Sequence, residues 1–539
     1  MGSFDVRWLI ALLFGVVGQA FAAEQPNLIF ILVDDLRYDG MGFVQGDIDG
    51  IRTPHIDQLA AQGMYLSNAV VTTSLCSPSR ATILTGQSTR NHRIVDNNDT
   101  SEDHLLFFPR YLQDAGYETA FVGKWHMGRS NDNPRSGFDH WVSFIGQGFY
   151  NPTDSIPPAE IAAGRRHQLN VNGTPVDQTG YITDELTDYA VDWLSARDGE
   201  QPFFLYLSHK AVHSTVTPAP RHQAQYADVV FSLVRPDGDQ GAPGAGKPMW
   251  VHNQRNSWHG IEFAYHSDSS MTDYMRRYFA TLSSVDDSVG RLVAWLREND
   301  EDENTILVFY SDNGFLFGEH GLIDKRNAYE PSVRVPMVVY GPGRVPAGTT
   351  VASRVRNLDL APTFIDLAGG TSPEQFEGRS IAPLITGQVS QEAWASEVFV
   401  YEYYWEWTFP QTPTTFAITK DEIKYIQYHG LWDLEELYDL RRDPHEHVNL
   451  IDDIEYRNAL IDRRELLYQH LANSQGEAVV PFSEKRSTGI GFRKATGSSG
   501  APFPPQWLKA ATAPDRFQGF VRPARIEEPT PSVNKETDP

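Results

Sequence analysis

Five short apolar runs, at residues 27–33, 119–122, 203–207, 305–310 and 336–340, recur along the chain between amphipathic helical stretches. Runs of this length, rich in β-branched and aromatic side chains, read as strands covered on both faces. Alternated with helices, they predict an α/β fold built on a large, mainly parallel central sheet flanked by helices. Four of the five end in a polar cluster: Asp34-Asp35, Gly123-Lys124-Trp125-His126, Ser208-His209 with His213 just beyond, and Ser311-Asp312-Asn313-Gly314. Open α/β sheets bind ligands beyond the carboxyl ends of their strands, so these distant segments are expected to converge on one crevice.

At 539 residues the chain exceeds what one core usually supports, roughly 250–300 residues. Residues 1–23 read as a secretory signal: Arg7, an apolar stretch over 8–17, then the small-residue pattern Ala20-Phe21-Ala22-Ala23. That stretch is short against the roughly 20 residues of a membrane span, and no later segment reads as one. No cysteine follows it to carry a lipid. The expectation is export to the periplasm or medium, with no stable membrane insertion once the signal is cleaved. A main domain over 24–388 is expected next, then a second region over 389–480 with strand-like stretches at 397–404, 415–419 and 424–428. A Pro/Gly-rich tail over 481–539 follows. The formal charge of −25, from 45 basic against 70 acidic residues, argues against a nucleic-acid partner.

Cys76 is the only cysteine, so no intramolecular disulfide can form. A lone cysteine is commonly a small buried hydrophobe. Its surroundings point elsewhere: Pro78 fixes the backbone, Ser77 or Ser79 can cap a helix beginning near Arg80, and that arginine lies within a turn. Free N–H groups and a guanidinium at a helix start favour a reactive anion. Asp34, Asp35, Asp312 and Asn313 offer only oxygen ligands and three negative charges, which suits a hard divalent cation better than zinc. Lys124 and His126, two apart, would share one face of a strand.

The segment from Cys76 to Gly86, opening Cys-Ser-Pro-Ser-Arg, resembles the signature of the type I sulfatases. Their second signature is matched by Gly116 through His126. The resemblance implies that a formylglycine-generating enzyme converts Cys76 to an aldehyde whose hydrate is the nucleophile. It implies a calcium ion, with magnesium as the alternative, held by Asp34, Asp35, Asp312, Asn313 and an oxygen at position 76. It further implies that Lys124 and Lys325 touch the sulfate, and that Arg80 and His126 hold the hydrate. His213 or Lys325 would protonate the leaving sugar oxygen, and His126 would take a proton when sulfate departs. His213 sits where the family has Pro-His-x-Pro, with Val212 and Thr215 in place of the prolines, and His209 is read as structural. The segments around Leu437-Tyr438-Asp439-Leu440, Asp443-Pro444 and Asn449-Leu450 resemble a sulfatase C-terminal subdomain, a short antiparallel sheet with a helix.

Residues 249–260 are dense in aromatic and hydrogen-bonding side chains, which suit stacking on a sugar ring and gripping its hydroxyls, and the segment resembles carbohydrate sulfatases for amino-sugar 6-sulfates and algal polysaccharides. Arg93, His252, Arg255, Trp258 and His259 are the candidates for contact with a sulfated glycan, and 90–93 would add positive charge at the entrance. Against the acidic surface, an anionic substrate requires that the field be reversed inside one pocket. Three readings compete: a glycan sulfatase, a phosphate or phosphonate monoester hydrolase, and a non-catalytic glycan-binding protein in which Cys76 stays a thiol.

Overall fold

The computed structural model describes residues 25–474, apart from 45, 47, 98–103, 128–130, 157, 163, 232–245, 255–269, 395–397, 407–408 and 430–433. The signal segment 1–23 and the tail 481–539 lie outside the described residues.

Ten strands form one sheet in the order Thr349–Val351, Met64–Leu66, Met337–Tyr340, Thr305–Ser311, Asn27–Val33, Phe203–Ser208, Glu118–Gly123, His140–Ser143, Gln168–Val171, Thr174–Asp177. Its five central strands, from Thr305–Ser311 to His140–Ser143, are mutually parallel. Successive residues of Asn27–Val33 supply two different cores: Ile29, Ile31 and Val33 pack with the helices Ile182–Ala196 and Met271–Glu298, while Leu28, Phe30 and Leu32 pack with Cys76–Thr85 and Leu360–Leu367. Burial on both faces is why the strand is apolar throughout.

Met337–Tyr340 is the exception among the five runs, because it lies antiparallel to Thr305–Ser311. Its carboxyl end therefore points away from the edge where the other four finish. It is also the one run without a polar cluster after it.

A second, four-stranded antiparallel sheet, Phe399–Tyr403, Thr415–Lys420, Ile423–Tyr428 and Glu435–Asp439, carries the helix Arg457–Asn473 on one face through Leu460, Leu467 and Leu471. Its other face, with Tyr401, Tyr403 and Tyr438, packs on Leu75, Leu322 and Tyr329 of the main body. This sheet thus rests against the residue that precedes Cys76.

Lys124 and His126 do not sit on a strand. The strand stops at Gly123, whose φ of 124° turns the chain, and His126 itself has a φ of 58°. Only glycine fits there, since a Cβ at 123 would lie 1.9 Å from the carbonyl oxygen of Ser208 on the neighbouring strand. Gly123→Ala is expected to destabilise the protein by at least about 1–3 kcal/mol, the usual cost of forced backbone strain. A lowered urea midpoint with unchanged m-value checks this.

Candidate active site

The carboxyl ends of Asn27–Val33, Glu118–Gly123, Phe203–Ser208 and Thr305–Ser311 meet the N-terminus of the Cys76–Thr85 helix. The helix begins at Cys76 itself rather than near Arg80, and neither serine caps it. Ser77 Oγ donates to the carbonyl of His126, and Ser79 Oγ accepts from Asn357 Nδ2 at 3.0 Å. The free N–H of Ser77 is taken instead by Asn97 Oδ1 at 3.0 Å, and Gly86 closes the helix in the left-handed conformation at φ 61°.

Three carboxylates and three cations face one another around Cys76. Arg80 pairs with Asp312, Nε to Oδ2 at 2.9 Å; Lys124 donates to Asp34 Oδ2; Lys325 donates to Asp35 Oδ1 and reaches Cys76 Sγ at 2.9 Å. Cys76 Sγ lies 3.4 Å from Asp34 Oδ1, and Asn313 Nδ2 donates to Asp35 Oδ1 at 2.6 Å. All of these groups are buried. Arg80 also holds the carbonyl of Lys124 and Ser208 Oγ, both at 2.7 Å, so one guanidinium ties together the ends of three strands. His213 stands at the edge, its side chain 14% exposed and its Nε2 3.9 Å from Asp35 Oδ2.

Burial pushes each charged group toward its neutral form, and the neighbours decide the outcome. Burial would raise Asp34, but Lys124, Arg80 and Lys325 outweigh it and hold the carboxyl well below the usual range. Asp312 is pushed up to about 7 by burial and by Asp34, against Arg80. Burial and then Lys124 depress both His126 and His213 well below an ordinary imidazole, so each is a neutral base. Burial and Asp34 raise the Cys76 thiol to about 12.

The residues fit a hard cation. Carboxylate oxygens of Asp34, Asp35 and Asp312 lie within 4.8 Å of one another, and Asn313 Oδ1 is buried with no hydrogen-bond partner among the described residues. An oxygen-only donor set of this charge suits calcium or magnesium.

The structure brings Asp34, Asp35, Cys76, Arg80, Lys124, His126, His213, Asp312, Asn313 and Lys325 into one cluster. Arg93 is not among them: it is exposed, and no hydrogen bond among the described residues joins it to the cluster. Arg90 and His92 line no entrance, because both are buried. Arg90 pairs with Glu402 at 2.8 Å, and His92 bonds Thr82 Oγ1 at 3.0 Å. His209 is buried against Ser288 Oγ at 3.1 Å. His252 is exposed on the short helix Met249–Gln254, which lies against the turn Glu319–Gly321 shortly before Lys325. Arg255, Trp258 and His259 fall outside the described residues. Sequence reasoning gave no role to Asn97, read Ser77 only as a possible cap and Ser208 only as part of a polar strand end; the structure has them hold the helix start, His126 and Arg80.

Arg80→Met would strip Asp312 of its buried partner and leave two strand ends without their shared donor. Loss of a buried partner typically costs about 3–5 kcal/mol. The expected outcome is a matching fall in unfolding free energy by urea titration, well beyond what loss of activity alone would require.

Comparison with known proteins agrees with this arrangement. The sulfatase family model matches residues 26–370, and a model for the C-terminal part of N-sulphoglucosamine sulphohydrolase matches 318–473. An N-acetylglucosamine-6-O-sulfatase of Bacteroides thetaiotaomicron is 30% identical over 495 residues, covering 82% of this chain and 86% of its own. The human N-acetylglucosamine-6-sulfatase is 32% identical over 418 residues, covering 73% and 70%. The solved structure of a protein in complex with its substrate D-glucosamine-2-N,6-O-disulfate superposes with a TM-score of 0.74 at 29% identity, covering 84% of this chain and 100% of that one. A second solved structure, in complex with a neocarrahexaose, has a TM-score of 0.65 at 27% identity, covering 87% and 96%. With its cysteine-headed helix set at the carboxyl edge of the sheet, this chain belongs to the sulfatase family and is a sulfuric ester hydrolase.

Proposed function

We propose that the chain removes 6-O-sulfate from glucosamine units of a sulfated glycan, using a formylglycine made from Cys76. The observation that carries this reading is the convergence of two acidic strand ends, two lysines and two neutral histidines on the start of the Cys76 helix. The choice of sugar rests on the relatives, whose names specify N-acetylglucosamine 6-sulfate, and on the disulfated glucosamine in the similar structure.

Asp34, Asp35, Asp312 and Asn313 would hold calcium, or magnesium, which supplies Lewis-acid polarisation of the sulfate oxygens. An aldehyde at position 76, installed by a formylglycine-generating enzyme, would supply as its hydrate the nucleophilic hydroxyl and the second hydroxyl needed for turnover. The chain's own groups do the rest. Lys325 reaches residue 76 directly and Lys124 reaches it through Asp34, so both offer ammonium donors where negative charge would accumulate. His126, neutral and with no hydrogen-bond partner for Nε2 among the described residues, can take a proton from the group at 76. Lys325 Nζ, or His213 Nε2 after it has taken up a proton, delivers a proton to the departing sugar oxygen, a poor leaving group as an alkoxide. His213 suits the role by standing at the exposed edge of the cluster.

The division at about residue 388 and export through a signal over 1–23 belong to the same reading. Among the described residues no helix is long and apolar enough to cross a membrane. A Caenorhabditis elegans relative, 30% identical over 381 residues, is named a putative extracellular sulfatase. One relative favours a second reading, hydrolysis of phosphate or phosphonate monoesters: the multifunctional alkaline phosphatase superfamily protein of Trinickia caryophylli, 27% identical over 480 residues.

Inorganic sulfate release from N-acetylglucosamine 6-sulfate, set against phosphate release from the 6-phosphate, separates the two. Sulfate release is expected to dominate and to fall at least about 10³-fold in Cys76→Ser; faster phosphate release would favour the second reading. Chelation should abolish turnover, and added calcium should restore it. Calcium affinity by calorimetry should weaken as pH falls through about 7, because Asp312 must be ionised to bind the ion.

A further inference from the structure

Lys210 is a cation at the site that the cluster of carboxylates leaves over. It follows the strand Phe203–Ser208 in the loop that carries His213, and it is only 3% exposed. That loop is fastened to the metal-side strand, since Ala211 O accepts from the Asp34 N–H at 2.9 Å and the Val212 N–H donates to Asp34 O at 2.7 Å. Arg80, Lys124 and Lys325 each neutralise one carboxylate. Among the described residues, Lys210 Nζ has no carboxylate within ion-pair distance and no hydrogen-bond acceptor. It rests 4.5 Å from the ring centroid of Tyr150, whose hydroxyl donates to the carbonyl of His213 at 2.7 Å.

A buried ammonium without a counter-charge is costly unless a ligand supplies one. The charges that act on Lys210 are Lys124, Asp34, Asp154 and Asp35, so it lies within the field of the catalytic cluster. Burial and then Lys124 lower its pKa to about 7, and an anion bound beside it would draw it back to the charged form. We propose that Lys210 is a fourth cation of the anion site, its ammonium contacting the sulfate group of the bound ester from the His213 side. With Arg80, Lys124 and Lys325 already matched to carboxylates, it adds a directed ammonium donor on the His213 side, beyond the charge a bound metal ion would bring. The inference rests on the sulfatase reading and not on which sugar carries the sulfate.

The test is the affinity of inorganic sulfate for the calcium-loaded full chain carrying Cys76→Ser, measured by calorimetry with and without Lys210→Met. Affinity should fall about 10- to 100-fold, the range for losing a charged hydrogen bond, and Lys210→Arg should recover most of it. N-acetylglucosamine 6-sulfate should lose affinity in parallel, whereas binding of uncharged N-acetylglucosamine should not change. Unchanged sulfate affinity in Lys210→Met overturns the proposal, as does an equal loss for the uncharged sugar. A kcat defect in the Cys76 enzyme without any change in sulfate affinity also overturns it, because Lys210 would then serve only to hold Tyr150 and His213. If the methionine variant does not fold, Lys210→Gln is read by the same criteria. If the 6-sulfated sugar fails to bind while sulfate still responds to Lys210, the amino-sugar assignment falls and the role of Lys210 stands.

Discussion

Three carboxylates buried within reach of one another are the costly feature around which the rest of this molecule is arranged. Left alone, Asp34, Asp35 and Asp312 would repel, and burial would drive them to take up protons. The fold answers with Arg80, Lys124 and Lys325, each delivered from a different part of the chain, and with Arg80 fixing three strand ends at once. The helix that presents Cys76 is therefore oriented by the same guanidinium that stabilises the buried carboxylates. The position of residue 76 and the spacing of the carboxylates cannot be altered independently.

The arrangement also reconciles a chain of net charge −25 with an anionic substrate. Fields at short range in a low-dielectric pocket outweigh distant surface charges screened over about 10 Å. The acidic exterior is compatible with solubility, while the carboxyl edge of the sheet gathers two histidines that burial keeps neutral beside the cations. The neutral bases can accept protons at ordinary pH, which protonated imidazoles could not.

Much of this was legible in the sequence, and the failures have physical reasons. Strands covered on both faces announce themselves as unbroken apolar runs, so the runs at 27–33, 203–207 and 305–310 coincide with strands almost residue for residue. Direction is not written in a run, which is why the antiparallel Met337–Tyr340 could be found only in three dimensions. Lys124 and His126 read as a strand face because period-two spacing looks the same beyond the strand end; Gly123 was the clue that the strand had finished. The start of the Cys76 helix was misplaced because Ser77 and Ser79 suggested capping, whereas tertiary partners use both hydroxyls. Arg90 and His92 looked solvent-facing because a basic tetrapeptide does not reveal that Glu402, more than three hundred residues away, is waiting for one of them. The convergence of Cys76, Arg80 and the acidic pairs was legible because all but the cysteine helix lie at strand ends that share one edge of the sheet.

The most direct test of the account is the chemical state of residue 76. Mass spectrometry of the peptide spanning it, from protein made in cells that possess a formylglycine-generating enzyme, should find the thiol replaced by an aldehyde or its hydrate. A peptide that retains the cysteine throughout, in protein that still releases sulfate, would contradict it.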